Sequence, residues 1–222
     1  MQPGIYLVTD HELCAPRGVP ATVAAAVAGG VHTVQLRDKE ADLDDHLRQL
    51  THLAEVIDGR ARLIVNDRLD VVVAARSRGL PVHGVHLGQL DDAAVAARAE
   101  LGPEAIVGLT ANTVAHLEAV AALPGGTVDY LGVGVIRPTT TKTDHPEALG
   151  IEGFGRFAAR TPLPCVAIGG VRPEDAGPLR RAGAGGAAVV SALCAAPDPE
   201  TVARGLRTDW DAAGSGPDKA GA

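Results

Sequence analysis

Two cations and an amide alternate in the segment Gln35-Leu36-Arg37-Asp38-Lys39, directly after an apolar run. In an extended strand, alternate side chains point to the same side, so Gln35, Arg37 and Lys39 are predicted to face together. A guanidinium fork beside an ammonium group suits the oxygens of a phosphate. The alternative is a solvated rim in which Asp38 pairs with a neighbour, and this segment alone leaves both interpretations open.

Two carboxylates follow the next two apolar runs, Asp67 after Asn66 and Asp91 after Gly88-Gln89-Leu90. On adjacent parallel strands they could share Mg²⁺, which usually takes one or two carboxylates together with substrate phosphate oxygens. Asp67 and Asp91 are equally well placed to cap the helices that follow them. Capping is the commoner role for an Asp at such a place, and the residues alone favour it.

Three later segments have the chemistry to bind a phosphate. The polar stretch from Pro138 to Pro146 is long for a connection between a strand and a helix, and it offers hydroxyls and an ammonium group. A polar linker is the alternative. Of two later apolar runs, one ends in a glycine pair, which lets a ligand approach the backbone. The other ends in a serine, which could bind the phosphate or instead cap a helix. The candidate residues are Thr139, Thr140, Thr141, Lys142, Gly169, Gly170, Val190 and Ser191.

The elements that must position these residues alternate regularly along the chain. Eight short apolar runs predict strands at 5–9, 32–36, 62–65, 83–87, 105–108, 128–133, 164–168 and 186–190. Ala-rich stretches between and after them predict helices at 20–29, 42–58, 68–76, 91–101, 113–122, 150–160, 172–182 and 198–212. Parallel strands joined by helices are therefore expected, closed into a (β/α)8 TIM barrel. A doubly wound open sheet is the alternative, which the missing dinucleotide fingerprint disfavours.

In such a barrel the chemistry lies at the carboxyl ends of the strands, where all the segments above are found. We expect one barrel domain over residues 1–212 and a disordered tail at 213–222. His83 and His86 lie three apart on a predicted strand and should face opposite ways, so we predict no metal site there. No paired acid and base of the kind that a phosphosugar isomerase or epimerase needs is found, nor a convincing nucleophilic triad.

The composition excludes several partners. The formal charge of -7 and the aromatic content of 2% argue against a nucleic-acid surface, which needs clustered cations and stacking rings. Three distant cysteines indicate neither a disulfide framework nor a zinc site. No signal-peptide pattern opens the chain, and its longest apolar run, 182–197, is too short for a membrane span. We therefore expect a cytoplasmic protein that binds small molecules.

Taken in order, the segments resemble the thiamine-phosphate synthase family over residues 5–193. The matching motifs are YLVTD at 6–10, VQLRDK at 34–39, VND at 65–67, GVHLGQ at 84–89 followed by Asp91, PT-x-TK at 138–142, AIGG at 167–170 and VVSA at 189–192. The resemblance implies condensation of hydroxymethylpyrimidine diphosphate with a thiazole phosphate, giving thiamine phosphate and diphosphate. It further implies Mg²⁺ as the cofactor, no organic cofactor, and homo-oligomers as in many family members.

The resemblance also implies residue roles. Asp67 and Asp91 would hold Mg²⁺, and Thr110 would contact the pyrimidine in place of the usual serine. Arg37, Lys39 and Lys142 would act catalytically by neutralising the departing diphosphate. The pyrimidine diphosphate would be held by Gln35, Arg37, Lys39, Asn66 and Lys142, and the thiazole phosphate by Thr139, Thr141, Gly170, Val190 and Ser191. Leu36, Asp38, Thr140 and Gly169 complete the substrate-binding positions of these motifs.

Three positions depart from the family pattern. Leu90 stands where an acidic residue is usual, Val135 where a proline is usual, and Arg137 where an aromatic residue is usual. Arg137 could strengthen diphosphate binding, point to solvent or alter specificity. The alternative functions are a thiazole tautomerase, which we expect to lack the diphosphate and metal residues, and a non-catalytic thiamine-precursor binding protein, which would bind without turnover.

Overall fold

Eight parallel strands close into a barrel in chain order, and each strand pairs with its two sequence neighbours. The computed structural model describes residues 2–89, 91–138 and 147–214, with Asp91 described by its backbone alone. The strands are β1 Gly4–Val8, β2 Thr33–Leu36, β3 Arg62–Asn66, β4 Gly84–Leu87, β5 Ile106–Thr110, β6 Tyr130–Gly134, β7 Cys165–Ile168 and β8 Gly186–Val189. The predicted (β/α)8 barrel is confirmed.

Helices cover the outside of the barrel. They are α1 His11–Cys14, α2 Val19–Ala28, α3 Leu43–Ile57, α4 Leu69–Ser77, α5 Asp91–Leu101, α6 Val114–Ala122, α7 Gly150–Ala158, α8 Ala176–Arg181, α9 Ser191–Cys194 and α10 Pro199–Gly214, with a 3-10 turn at Pro173–Asp175. In the described part of the chain, none of them is both long and apolar enough to cross a bilayer.

The structure corrects the predicted helices at four places. The four-residue helices α1 and α9 were not predicted, because one turn is too short to show a periodic pattern. The helix predicted at 172–182 is a 3-10 turn followed by the short α8, in a stretch interrupted by Pro173 and Pro178. Helix α10 continues to Gly214, two residues beyond the predicted end at 212. Residues 215–222 of the predicted tail lie outside the described residues.

Helix α3 illustrates why the helices form. Asp42 caps it by accepting a hydrogen bond from the backbone N–H of Asp45 at 2.8 Å. Its apolar face, which includes Leu47, Leu50 and Leu53, is buried against the outside of the barrel in the main core cluster. A second, smaller apolar cluster fills the barrel interior and consists of Tyr6, Val8, Ile64, Tyr130, Val166 and Ala188.

Three reciprocal hydrogen-bonded pairs close the amino-terminal end of the barrel. In each pair, the residue just before an even-numbered strand donates its backbone N–H to the carbonyl of one residue in the preceding strand. Its side chain accepts the backbone N–H of that same residue in return. The pairs are His32 with Ile5, His83 with Leu63 and Asp129 with Val107, and the side-chain bonds measure 3.0, 3.0 and 2.7 Å. Before β8 the equivalent residue is Gly185, which donates its N–H to the carbonyl of Cys165 but, as a glycine, has no side chain to accept the return bond.

Candidate active site

A cavity of about 440 Å³ opens at the carboxyl ends of the strands, the end at which barrels of this class carry their chemistry. This mouth cavity is lined by residues from all eight strand ends. Ten of the residues predicted from the sequence line it: Gln35, Arg37, Lys39, Asn66, Asp67, Thr110, Gly169, Gly170, Val190 and Ser191. Its size falls within the ~300–1,000 Å³ typical of small-molecule sites.

The predicted alternation after β2 places Gln35, Arg37 and Lys39 on the wall of the mouth cavity. The backbone N–H of Arg37 donates to Thr9 Oγ1 at 3.0 Å, which fixes the end of the strand. The Arg37 guanidinium lies 4.0 Å from the Asp10 carboxylate, an ion pair at the outer limit of contact. Lys39 is exposed at the rim. Two cations are thus available to an anion.

The two intervening residues do not line the cavity. Leu36 is buried in the core cluster outside the barrel. Asp38 turns away and accepts hydrogen bonds from Gln49 Nε2 at 2.9 Å and from the N–H groups of Glu40 and Ala41. The interpretation that Asp38 pairs with a neighbour therefore holds for this side chain, while its predicted substrate contact finds no support in its position.

Asp67 reaches the cavity through an unusual backbone conformation. Its φ of 59° lies in the left-handed region, which Asp tolerates better than most residues. The carboxylate accepts the N–H of Gly88 at 3.1 Å and the amide of Asn66 at 2.8 Å, joining the ends of β3 and β4. Helix α4 has Arg68 at its N-cap with no side-chain cap, so the prediction that Asp67 caps this helix is wrong.

A chain of hydrogen bonds crosses the barrel interior below the mouth cavity. Gln35 Nε2 lies 2.8 Å from the hydroxyl of Tyr6, and that hydroxyl lies 2.9 Å from the hydroxyl of Tyr130. His86 continues the chain, with Nδ1 at 3.0 Å from the Tyr130 hydroxyl and Nε2 at 3.2 Å from Thr110 Oγ1. Thr110 donates in turn to a backbone carbonyl, that of Leu87, at 3.3 Å.

The two ends of this chain determine its direction. An amide nitrogen can only donate and a carbonyl can only accept, so each hydroxyl passes its proton towards Leu87. His86 must then accept at Nδ1 and donate from Nε2, which requires the neutral imidazole. Burial raises the pKa of Tyr6 to about 12 and that of Tyr130 well above its ordinary value, so both phenols stay protonated.

The Tyr130 ring fits because glycine stands opposite. A Cβ atom at Gly108 would lie 2.3 Å from Cζ of Tyr130, so the ring or the strand would have to shift to admit it. Stacking of His86 on the same ring, with centroids 5.4 Å apart, completes this floor.

The remaining candidate residues are the positions that depart from the family pattern and those of the segment after β6. Val135 lines the mouth cavity, while Leu90 lies outside the described residues, as do the side chain of Asp91 and the segment with Thr139, Thr140, Thr141 and Lys142. Arg137 does not line the cavity. Its guanidinium forms a two-bond ion pair with Asp175, whose side chain is 2% exposed.

Comparison with known proteins fits the arrangement at the strand ends. A family model described as thiamine monophosphate synthase matches residues 5–193. The chain belongs to this family. A thiamine-phosphate synthase from Azorhizobium caulinodans is 50% identical over 209 residues, covering 92% of this chain and 93% of the relative. Another from Psychrobacter is 41% identical, covering 90% and 91%.

A solved structure adds the fold to these sequence matches. Thiamine phosphate pyrophosphorylase from Pyrococcus furiosus superimposes with a TM-score of 0.80 at 28% identity, covering 96% of this chain and 97% of that one. The predicted membership of the thiamine-phosphate synthase family is therefore confirmed.

The sequence analysis assigned no site role to three polar residues that line the mouth cavity: His86, Gln89 and Asn112. Asn112 Oδ1 accepts the N–H of Gly134 at 3.1 Å and ties the ends of β5 and β6 together. The spacing of His83 and His86 argues only against a metal site and assigns His86 no other role. The same alternation that turns His83 to the outside turns His86 into the barrel, and that signal was available.

Proposed function

We propose that the chain condenses 4-amino-2-methyl-5-(diphosphooxymethyl)pyrimidine with 4-methyl-5-(2-phosphooxyethyl)thiazole, giving thiamine phosphate and diphosphate. The observation that carries this proposal is one cavity with anion-binding chemistry on two sides. Arg37, Lys39 and Asp67 follow β2 and β3, whereas Gly170 and Ser191 follow β7 and β8. Strands β3 and β7 are four apart in the closed barrel and therefore lie on opposite sides of the mouth.

The pyrimidine diphosphate is assigned to the cationic side. Gln35 and Asn66 offer amides, and Arg37 and Lys39 offer positive charge to the diphosphate. Lys142 is proposed to join them. Thr110, fixed by His86 on one side and donating to Leu87 on the other, presents its hydroxyl region to the pyrimidine ring.

Asp67 fits the requirement for Mg²⁺. Each of its carboxylate oxygens accepts one described hydrogen bond, which leaves lone pairs directed to the cavity. In the described part of the chain, no three or more His, Cys, Asp or Glu side chains lie together so that they could hold a metal ion. Mg²⁺ needs no such group, because it commonly takes one or two carboxylates and completes its shell with phosphate oxygens and water. Asp67 and Asp91 would hold it, and the ion would supply positive charge to the diphosphate.

The thiazole phosphate is assigned to the opposite side. Gly169 and Gly170 have φ values of 85° and 66°, conformations that glycine adopts freely, and without side chains they let a phosphate approach the backbone. Val190 and Ser191 continue this surface, and the proposed contacts of Thr139, Thr140 and Thr141 would complete it.

The proposed chemistry is a dissociative substitution. The bond between the pyrimidine methylene and the diphosphate oxygen breaks first, and the electron pair leaves with the diphosphate. The resulting cation is stabilised by the amino group of the pyrimidine ring, and the thiazole nitrogen then forms the new bond. The protein needs no nucleophile for this sequence. Arg37, Lys39 and Lys142 act by neutralising the leaving group, and the surface formed by Gly169, Gly170, Val190 and Ser191 holds the thiazole in line.

The direct test is to incubate the purified protein with both substrates and Mg²⁺ and to measure thiamine phosphate as fluorescent thiochrome, with an EDTA control. Product that is lost with EDTA is the expected result. Thiazole phosphate binding without product would overturn the proposal and favour the tautomerase or the non-catalytic binding protein. Conversion of a thiazole phosphate tautomer would then separate those two.

Asp67→Asn tests the metal assignment. The variant keeps a side chain that tolerates a positive φ, so it should fold, while Mg²⁺-dependent turnover falls by on the order of 10²-fold or more. Asp70→Asn is the matched control, because Asp70 is an exposed partner of Arg68 and does not line the cavity. Thiazole phosphate affinity should change in neither variant. Turnover by Asp67→Asn equal to that of the control would contradict the assignment.

We also propose a cytoplasmic location and self-association. Cys14, Cys165 and Cys194 are all buried free thiols, which is typical of a reducing compartment. Light scattering at several protein concentrations will give the oligomeric state.

A further inference from the structure

Arg137 contacts both ends of the loop that follows β7. At the start of this loop, the N–H of Arg137 donates to the carbonyl of Gly169 at 3.0 Å, and the N–H of Ile136 donates to the same carbonyl at 2.9 Å. At its end, the Arg137 guanidinium donates two hydrogen bonds to Asp175, one of them 2.7 Å long. The segment 169–175, here called the phosphate loop, is therefore held at each end by one residue.

The contacts inside the phosphate loop are equally close. A Cβ atom at Gly170 would lie 2.8 Å from both Cβ and the carbonyl oxygen of Arg137, so the glycine backbone packs directly on that residue. Asp175 Oδ2 accepts the N–H of Arg172 at 2.8 Å and closes the turn from within. The backbone and Cβ of residue 137 thus fix the start of the phosphate loop, and the hold on Asp175 at its end is the part that depends on the guanidinium.

The burial of Asp175 makes the ion pair hard to replace. Its side chain is 2% exposed, against 33% for Arg137. Among the described residues, Arg137 is the only cation within ion-pair distance of this carboxylate. A buried carboxylate that loses its partner is strongly disfavoured, so the phosphate loop must move to hydrate it.

We propose that Arg137 is a positioning residue, which acts through Asp175 to hold the phosphate loop in the conformation that binds the phosphate of the thiazole substrate. The assignment of that substrate rests on the proposed function. The two phosphate sites have different walls, and only one of them contains Gly169 and Gly170. The effect of losing Arg137 should therefore fall on one substrate and not on the other.

The test compares Arg137→Gln, the double variant Arg137→Gln with Asp175→Asn, and Arg156→Gln. Arg156 is the matched control, because its ion pair with Glu152 on α7 is exposed on both sides. In steady-state assays, Arg137→Gln should raise KM for the thiazole phosphate by roughly tenfold, the equivalent of about one misplaced hydrogen bond. KM for the pyrimidine diphosphate should change less than about twofold on the same grounds, since its wall does not contain the loop.

The double variant removes the uncompensated charge and replaces the ion pair by two amides that can hydrogen-bond to each other. It should recover most of the thiazole phosphate affinity, and it keeps the test valid if Arg137→Gln alone does not fold. Equal increases in both KM values, or lowered thermal stability with KM unchanged, would show a merely structural role and overturn the proposal.

Titration with inorganic phosphate, monitored by calorimetry, separates this proposal from the proposed function. Wild-type protein that makes no thiamine phosphate but binds phosphate more tightly than Arg137→Gln would overturn the proposed function and support the positioning role of Arg137. Phosphate affinity that is the same in wild type and Arg137→Gln, or no phosphate binding by the wild type, would overturn the positioning role.

Discussion

Replacement of Tyr130 by Phe removes the central hydroxyl of the hydrogen-bonded chain inside the barrel. The Tyr6 hydroxyl then loses its acceptor and His86 Nδ1 loses this donor. A buried hydroxyl without an acceptor costs ~1–3 kcal/mol and a lost neutral hydrogen bond ~1 kcal/mol, so the free energy of unfolding should fall by about 2–4 kcal/mol. For a domain of this size, that corresponds to a decrease in Tm of roughly 5–15 °C.

The double variant Tyr6→Phe with Tyr130→Phe gives the decisive number. In the double variant no hydroxyl is left without a partner beside a phenylalanine ring. Its free energy of unfolding should therefore fall by ~1–2 kcal/mol less than the sum of the decreases in the two single variants. Urea unfolding followed by circular dichroism measures all corners of the cycle. A control cycle pairs Tyr130→Phe with Leu50→Val, in the outer core on α3, and should be additive. Additivity within ~0.5 kcal/mol in the tyrosine cycle would refute the connected chain.

The same phenols offer an independent check, because Tyr6 and Tyr130 are the only two tyrosines of the chain. Burial raises the pKa of Tyr6 to about 12, so the folded protein should show no tyrosinate absorbance near pH 10. The unfolded chain ionises there and binds fewer protons than the folded one, so the free energy of unfolding must fall as pH rises above about 10. A normal phenol titration in the folded state would contradict the buried chain.

Further outcomes follow from other contacts. Partial burial lowers the pKa of His32 and of His83 from the ordinary value near 6.5, so the stability that the neutral imidazoles contribute is fully present above that pH and is lost as pH falls from there towards the folded-state pKa. The double variant His32→Asn with His83→Asn keeps an acceptor for the strand N–H at each position. Its free energy of unfolding should therefore change less between pH 7 and 5 than that of the wild type. An unchanged slope would count against neutral imidazoles at these positions. Gly108→Ala should lower the free energy of unfolding by ~1–3 kcal/mol or more in urea titrations, because its Cβ meets the Tyr130 ring, and wild-type stability would disprove that contact. Lys39→Ala should raise KM for the pyrimidine diphosphate by roughly tenfold without a change in Tm, since the side chain is exposed, and an unchanged KM would remove it from the site.

The barrel could be predicted because its strands and helices differ in period and alternate without interruption. Strand β2 and helix α3 lie within one residue of their predicted bounds, since their apolar patterns are uninterrupted. Helices α1 and α9 could not be predicted in this way. They are single turns that form because the chain must reverse at the carboxyl ends of β1 and β8, and that depends on the closed barrel.

The site was predictable where direction along a strand decides it. Alternation correctly placed Gln35, Arg37 and Lys39 on the cavity wall. For Asp67, its place after a strand predicted the position at the cavity but not the contact, because a positive φ carries the carboxylate towards Gly88. The partner of Arg137 was beyond any local pattern, since Asp175 is 38 residues away and meets it only through the pairing of β6 with β7.

The reciprocal pairs at the amino-terminal end divide the barrel into blocks of two strands. The side-chain hydrogen bonds of these pairs link β1 to β2, β3 to β4 and β5 to β6, and none of them links two different blocks. A backbone cut in the exposed turn at Gly59, after α3, leaves every pair within one fragment. A cut at Gly30 separates Ile5 from His32. Fragments made at the block boundary should therefore reassemble more readily than fragments made inside a block, and the same boundaries mark where segments of related barrels can be exchanged.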